Sequence, residues 1–64
     1  MLKVVYVKVP ISTKIKKDTP QFVIEHLAVH DFLKINNYNI RYVASNISFD
    51  PISLQYCVAI FFRV

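Results

Sequence analysis

Hydrophobic side chains dominate the first segment of the chain and then alternate with basic ones. Residues 2–9 carry β-branched and aromatic groups on both alternating faces, which predicts a strand at the centre of a sheet. Pro10 interrupts any hydrogen-bond ladder there. Residues 11–16 then alternate apolar with polar side chains, the pattern of an edge strand or of an extended arm. The pattern does not decide whether residues 11–17 form a strand.

A helix is predicted to begin near residues 18–21, which read Asp-Thr-Pro-Gln. Either Asp18 caps the helix within a capping box, or Thr19 caps it with the proline in the first helical position. Apolar residues then recur at helical spacing as far as Ile35. The two asparagines that follow are expected to end the helix in place of glycine.

Two further strands are predicted in the second half of the chain. Residues 38–45 alternate between an apolar and a mixed face, and residues 48–51, Ser-Phe-Asp-Pro, predict a turn. Residues 52–63 form the clearest alternation of all, with one unbroken apolar face. The last predicted strand therefore begins directly after the turn.

These elements predict a single domain of the α+β class over residues 1–64. We expect a small antiparallel sheet of three to four strands with one helix packed on one face, in the order β-(β)-α-β-β. If the first strand pairs with the last, the three principal strands lie in the order one, three, two.

The predicted helix carries two apolar stripes, although one sheet face can cover only one. At about 100° per residue, five side chains share one side and should lie against the sheet. They are Ile24, Leu27, Ala28, Phe32 and Ile35. Phe22, Val29 and Leu33 form a second stripe on nearly the opposite side. That stripe is covered by the basic segment or a loop, tolerated as exposed surface, or in contact with a partner.

His26 and His30 are four residues apart beside this second stripe. A zinc site needs at least three protein ligands, and no third ligand follows from the pattern. We therefore expect a solvated helix face or a pH-sensitive interface, and no metal. The predicted partner-binding residues are Phe22, Val29 and Leu33 together with the two histidines.

The second face of the predicted sheet also carries apolar side chains, and no second helix is available to cover them. Depending on the register, these are Val5, Val7, Val9, Val43, Cys57, Ala59 and Phe61. Since 55% of the residues are hydrophobic, the chain has more apolar surface than one helix on one sheet face can bury. A protein partner or a homodimer is the expected explanation.

Positive charge is concentrated at the start of the chain. The first 17 residues include five lysines and no acid, whereas residues 18–64 carry three basic and four acidic side chains. The predicted basic patch consists of Lys8, Lys14, Lys16 and Lys17. It suits an acidic protein surface or the phosphates of a nucleic acid, and a solvated edge is the third alternative.

The complete absence of glycine limits the loops that the chain can form. Neither a phosphate-binding P-loop nor a dinucleotide-binding loop is available without glycine. Turns that need a positive φ should therefore use short polar residues. The candidates are Asn36, Asn37, Asn39, Asn46 and Asp50.

Few side chains are available for catalysis. Four acids and two histidines offer few ways to combine a nucleophile, a base and an orienting group, so we expect no enzyme, no small-molecule substrate and no cofactor. Cys57, the single cysteine, lies in an apolar run and fits a buried side chain in a reducing compartment. No apolar run approaches the length of a membrane span, so a cytoplasmic location is expected.

The sequence thus predicts a small non-enzymatic regulatory protein that binds a partner protein stoichiometrically, as an inhibitor or a modulator. Residue types with AT-rich codons make up 28 of the 64 residues, as in many short bacteriophage and viral proteins, so the expected partner is a host protein in the host cytoplasm. The alternatives are a basic nucleic-acid-binding protein that uses the N-terminal lysines, and a homo-oligomeric structural subunit.

Overall fold

The computed structural model describes residues 1–64 as three strands and one helix. The elements are β1 (Leu2–Pro10), α1 (Gln21–Ile35), β2 (Arg41–Asp50) and β3 (Gln55–Arg63). The sheet is antiparallel throughout, with the order β1-β3-β2. The predicted α+β class, the strand order and the helix against the sheet are confirmed, with three strands rather than four.

The side-chain pattern of the first strand predicted a central position, and this was wrong, because β1 lies at the edge of the sheet, as the order one, three, two requires. It pairs only with β3, which occupies the centre between β1 and β2. Along β1, Val5 and Val7 are half-buried, whereas the alternate residues Val4 and Tyr6 are exposed. The apolar pattern on both faces of β1 therefore reflects an uncovered face of the sheet and not a central position.

The basic segment between β1 and α1 forms turns, not a strand. The Ser12 amide donates to the carbonyl of Ile15 at 2.8 Å, and the Ser12 hydroxyl accepts from the same residue's amide at 3.2 Å. The segment is tied to the sheet at both ends, where the Ile11 amide donates to the Leu54 carbonyl and the Tyr56 hydroxyl donates to the Lys17 carbonyl. The predicted fourth strand is thus replaced by a turn that Ser12 stabilises.

The predicted N-terminal cap of the helix was also wrong. Pro20 occupies the N-cap position, and no side chain caps the helix there. The Thr19 hydroxyl instead accepts from the Lys16 amide at 3.0 Å, which closes the preceding turn. Because the Thr19 hydroxyl stabilises this turn, it is not available to cap the helix, and Asp18 does not cap it either.

The C-terminal end of α1 agrees with the prediction. Asn36 is the C-cap, and its side-chain amide donates to the Phe32 carbonyl at 2.8 Å. The Asn37 amide then donates to Lys34, and the Tyr38 amide to Leu33, at 3.0 and 2.9 Å. These two bonds define a Schellman motif, in which Asn37 takes the left-handed conformation that glycine usually supplies.

The turn between β2 and β3 lies three residues later than predicted. β2 continues through Asp50, the turn covers residues 51–54, and β3 begins at Gln55 instead of Ile52. The Asp50 carboxylate accepts from the Ile52 amide at 3.0 Å and from the Ser53 hydroxyl at 2.6 Å. These local hydrogen bonds compete with strand pairing. Residues 52–54 therefore belong to the turn, although their side chains continue the alternating pattern of β3.

The core lies between α1 and the central strand. Its buried side chains are Ile24, Ala28, Tyr56, Val58 and Ile60. Phe32 and Phe62 extend the core at one end, with ring centroids 5.0 Å apart in an edge-to-face arrangement. Leu27 and Ile35, expected against the sheet, are exposed. The buried face of the helix is therefore centred on Ile24 and Ala28.

Candidate functional site

A groove runs between α1 and the edge strand β2. Seven side chains line it: Phe22, Glu25, His26, Val29, Leu33, Tyr42 and Ser45. Four of these were predicted to contact a partner, so the fold brings most of the predicted partner-binding residues into one concave surface. We call it the α1–β2 groove.

The predicted residues differ in how far they are available for contact. Phe22 is 73% exposed at the start of the helix, whereas Val29 and Leu33 are half-buried. Val29 also packs against the core, so it supports the fold as well as lining the groove. His30 does not line the groove, and its ring stacks on that of His26 at a centroid distance of 6.5 Å. Among the apolar side chains of the groove, Phe22 thus has the most surface left to bury.

The basic segment does not cover this second apolar stripe of the helix. It lies on the other side of α1, where Ile15 borders a separate cleft with Leu27 and Ala28. One of the two structural explanations for the stripe is therefore wrong, since the chain supplies no segment that folds over Phe22.

A polar wall in the groove was not expected from the sequence. The Ser45 hydroxyl donates a hydrogen bond to the Glu25 carboxylate, and the Tyr42 hydroxyl lies 2.9 Å from the Ser45 hydroxyl. Residues three apart on a regular strand point to opposite faces. Here the register shifts between Tyr42 and Ala44, so Tyr42 and Ser45 both face the helix. Only the pairing with β3 reveals this bulge.

The two histidines gain no further ligand from the fold. No group of three or more His, Cys, Asp or Glu side chains is placed to hold a metal ion. His26 and His30 are both exposed, and His26 alone contributes to the groove. His26 thus contributes one imidazole ring to the groove, and the ring of His30 lies outside it.

The lysines of the predicted basic patch fall into two places. Lys14, Lys16 and Lys17 are exposed on the turns that precede α1. Lys8 lies on β1 opposite Cys57, and its ammonium group donates to the Cys57 thiol at 3.7 Å. Three lysines therefore lie close along the chain to Phe22, whereas Lys8 faces the uncovered side of the sheet.

The uncovered sheet face carries apolar residues, but not all of those expected. The register turns Val5, Val7 and Val9 toward the helix, because they pair with Ile60, Val58 and Tyr56 of the core. Leu2, Val4 and Tyr6 occupy the other face and are exposed, beside the half-buried Ala59 and Phe61. This face is the second apolar surface of the molecule.

The accessible surface of the molecule is larger than is usual for a folded monomer of its mass. Its accessible area is 4767 Å², whereas a folded monomer of this mass has about 4,250 Å². The excess agrees with the exposed side chains of the groove and of the sheet face.

The helix has 15 residues and is neither long nor apolar enough to cross a membrane. Comparison of the chain with protein-family models, with curated proteins and with solved structures finds no match.

Proposed function

We propose that this chain is a small non-enzymatic regulatory protein that binds an acidic partner protein stoichiometrically through the α1–β2 groove. The observation that carries the proposal is the exposure of Phe22 at the mouth of a groove that also contains Val29 and Leu33. A viral origin, as the composition suggests, makes a host protein in the cytoplasm the partner.

The apolar part of the contact supplies the affinity. Burying an aromatic side chain such as Phe22 contributes about 1.5–3 kcal/mol, and aromatic anchors in a groove are the side chains that dominate interface energies. Ser45, Tyr42 and Glu25 offer hydrogen-bonding groups beside it, which would fix the orientation of a bound segment.

Charge favours an acidic partner. The formal net charge is +4, and Lys14, Lys16 and Lys17 are exposed on the turns that lead into the first turn of the helix, where Phe22 lies. Lys14 lines the cleft on the other side of α1 and no lysine lines the groove, so the lysines attract an acidic partner at long range and do not form a rim of the groove. Such complementarity raises association rates and makes them dependent on salt.

Nucleic acid is the alternative ligand for the same lysines. The groove offers an apolar cleft in place of base-reading side chains, and an apolar cleft suits a protein segment better than the phosphates of a nucleic acid. The observations therefore favour a protein, and binding to an oligonucleotide is an outcome that the experiment must test.

The experiment compares the wild-type chain with Phe22→Ser and Ile52→Ser. Ile52 is 94% exposed on the β2–β3 turn and does not line the groove, so it controls for the loss of a surface hydrophobic side chain. Proteins recovered by each immobilised chain are purified, and their binding is measured by calorimetry. The same titration is repeated with a labelled single-stranded oligonucleotide and with a variant in which Lys14, Lys16 and Lys17 are changed to glutamate.

The proposal predicts a purified partner that binds one to one. Phe22→Ser should weaken its affinity about 10- to 100-fold, and Ile52→Ser should leave it unchanged. The lysine variant should slow association and reduce its salt dependence. Equal affinities for both serine variants, or binding to the oligonucleotide alone, would overturn the proposal.

A further inference from the structure

Two arginines lie side by side at the end of the sheet. Arg41 and Arg63 are direct partners in the last rung of the β2–β3 ladder, and Leu2 is the neighbour of Arg63 on its other side. Like charges directly opposite one another destabilise a sheet. Since no acidic residue occupies the same rung, the sheet itself does not compensate this repulsion.

A concave pocket opens at these arginines. It has a volume of about 620 Å³, within the range of sites for small ligands. Its lining consists of Met1, Tyr38, Asn39, Ile40, Arg41, Arg63 and Val64, with no acidic side chain among them. The pocket therefore combines two guanidinium groups with a phenol and a side-chain amide, all of which can donate hydrogen bonds to an anion.

The backbone at Tyr38 adds an independent observation. Its φ is 57°, in the left-handed region that bulky residues rarely occupy. The helix cap requires that conformation only of Asn37, so the Schellman motif does not account for Tyr38. Tyr38 lines the pocket in this conformation, and strained residues of this kind cluster at ligand sites.

We propose that Arg41 and Arg63 form a binding site for the phosphate group of a small molecule. Paired guanidinium groups match phosphate oxygens with charge-assisted hydrogen bonds, and a dianion neutralises both arginines at once, which a single carboxylate does not. Asn39 adds amide donors, and Tyr38 adds either a hydroxyl donor or an aromatic face. Binding relieves the repulsion between the two arginines.

The site is separate from the α1–β2 groove. Arg63 shares a strand face with Phe61 and points away from the helix, whereas Tyr42, next to Arg41, faces the groove. Phe22 lies at the opposite end of α1 from Tyr38. Changes at one site should therefore leave binding at the other intact, and the proposal does not depend on the proposed partner protein.

The test is a titration of the 64-residue chain. Inorganic phosphate and adenosine monophosphate are titrated at constant ionic strength, with binding followed by amide chemical shifts and by the melting temperature. The variants are Arg41→Gln and Arg63→Gln. Lys14→Gln serves as the matched control, since it removes one exposed positive charge outside the pocket.

We expect saturable binding with shifts confined to residues 38–41, 63 and 64. Each arginine variant should bind at least about 10-fold more weakly, while the control stays within about twofold of wild type. Tighter binding of the nucleotide that is lost in Tyr38→Ser identifies a base stacked on the ring, and equal binding of both probes identifies the phosphate group alone. Absence of saturation in the millimolar range, or an equal loss in Lys14→Gln, overturns the proposal.

Discussion

Ser45 of β2 donates a hydrogen bond to the carboxylate of Glu25 on α1. This bond joins the helix to an edge strand rather than to the central strand, and it forms part of the wall of the α1–β2 groove. Both side chains are half-buried, so water competes less for the bond than it would at an exposed site. The same hydrogen bond therefore contributes both to the stability of the domain and to the shape of the α1–β2 groove.

Ser45→Ala is expected to lower the free energy of unfolding by about 1–3 kcal/mol, because it leaves a half-buried carboxylate without its donor. Urea unfolding followed by circular dichroism measures the change. Ser48→Ala is the control: Ser48 is an exposed serine of the same strand, paired with Cys57 on the opposite face of the sheet. A loss at Ser48 as large as that at Ser45 would contradict the role given to the hydrogen bond.

The orientation of the helix predicts that two residues of its first turn contribute very differently to the free energy of unfolding. Ile24 is completely buried, so Ile24→Ala should cost about 2–5 kcal/mol through lost burial and a cavity. Phe22 is mostly exposed, and Phe22→Ser should change the free energy of unfolding by less than about 0.5 kcal/mol. Thermal and urea unfolding of both variants check this. Strong destabilisation by Phe22→Ser would mean that the residue is part of the core.

Acid should weaken the β2–β3 turn. The hydrogen bond from Ser53, then that from the Ile52 amide, and to a lesser degree the charge of Lys8, hold the pKa of Asp50 below its ordinary value. A pKa lowered in the folded state means that the ionised carboxylate stabilises the fold. That contribution is complete above about pH 4, the range of an unfolded aspartate, and is lost as the pH falls through the lower folded pKa.

Asp50→Asn should therefore flatten the acid side of the stability profile. Unfolding by urea at a series of pH values between neutral and acid conditions measures it, and the difference from wild type should shrink as the pH falls. Asp18→Asn, which removes one exposed negative charge outside this turn, is the control. If both variants follow the same curve, net charge and not the turn determines the pH dependence.

The sequence was sufficient to predict the elements that depend on local pattern. The end of α1 at Ile35 and the cap by Asn36 follow from periodicity and cap chemistry. The position of β1 at the edge did not follow, because alternation of side chains says which faces are apolar and not which strand is central.

The candidate site was predictable only in part, for a related reason. The apolar stripe with Phe22 is periodic along one helix and could be read from the chain. Tyr42 and Ser45 face the groove because of a bulge, and Arg41 meets Arg63 because of the strand register. Both features arise from contacts between distant segments, which no local pattern encodes.

Leu54 shows how a chain without glycine meets the demands of its turns. It has a φ of 53° directly before β3, where the prediction placed only asparagine or aspartate at such positions. A left-handed conformation costs roughly 1–2 kcal/mol for a residue with a branched side chain, and much less for asparagine. Leu54 is exposed, so little burial is lost when it is replaced.

Leu54→Asn should therefore raise the free energy of unfolding by about 0.5–1 kcal/mol, in spite of the loss of a hydrophobic side chain. The Leu54 carbonyl accepts from the Ile11 amide, a backbone bond that the substitution retains. Ile52→Asn, on the same turn but without a positive φ, is the matched control and should give no gain. Urea unfolding measures both variants. A decrease for Leu54→Asn would show that the leucine side chain stabilises the turn by more than its backbone conformation costs.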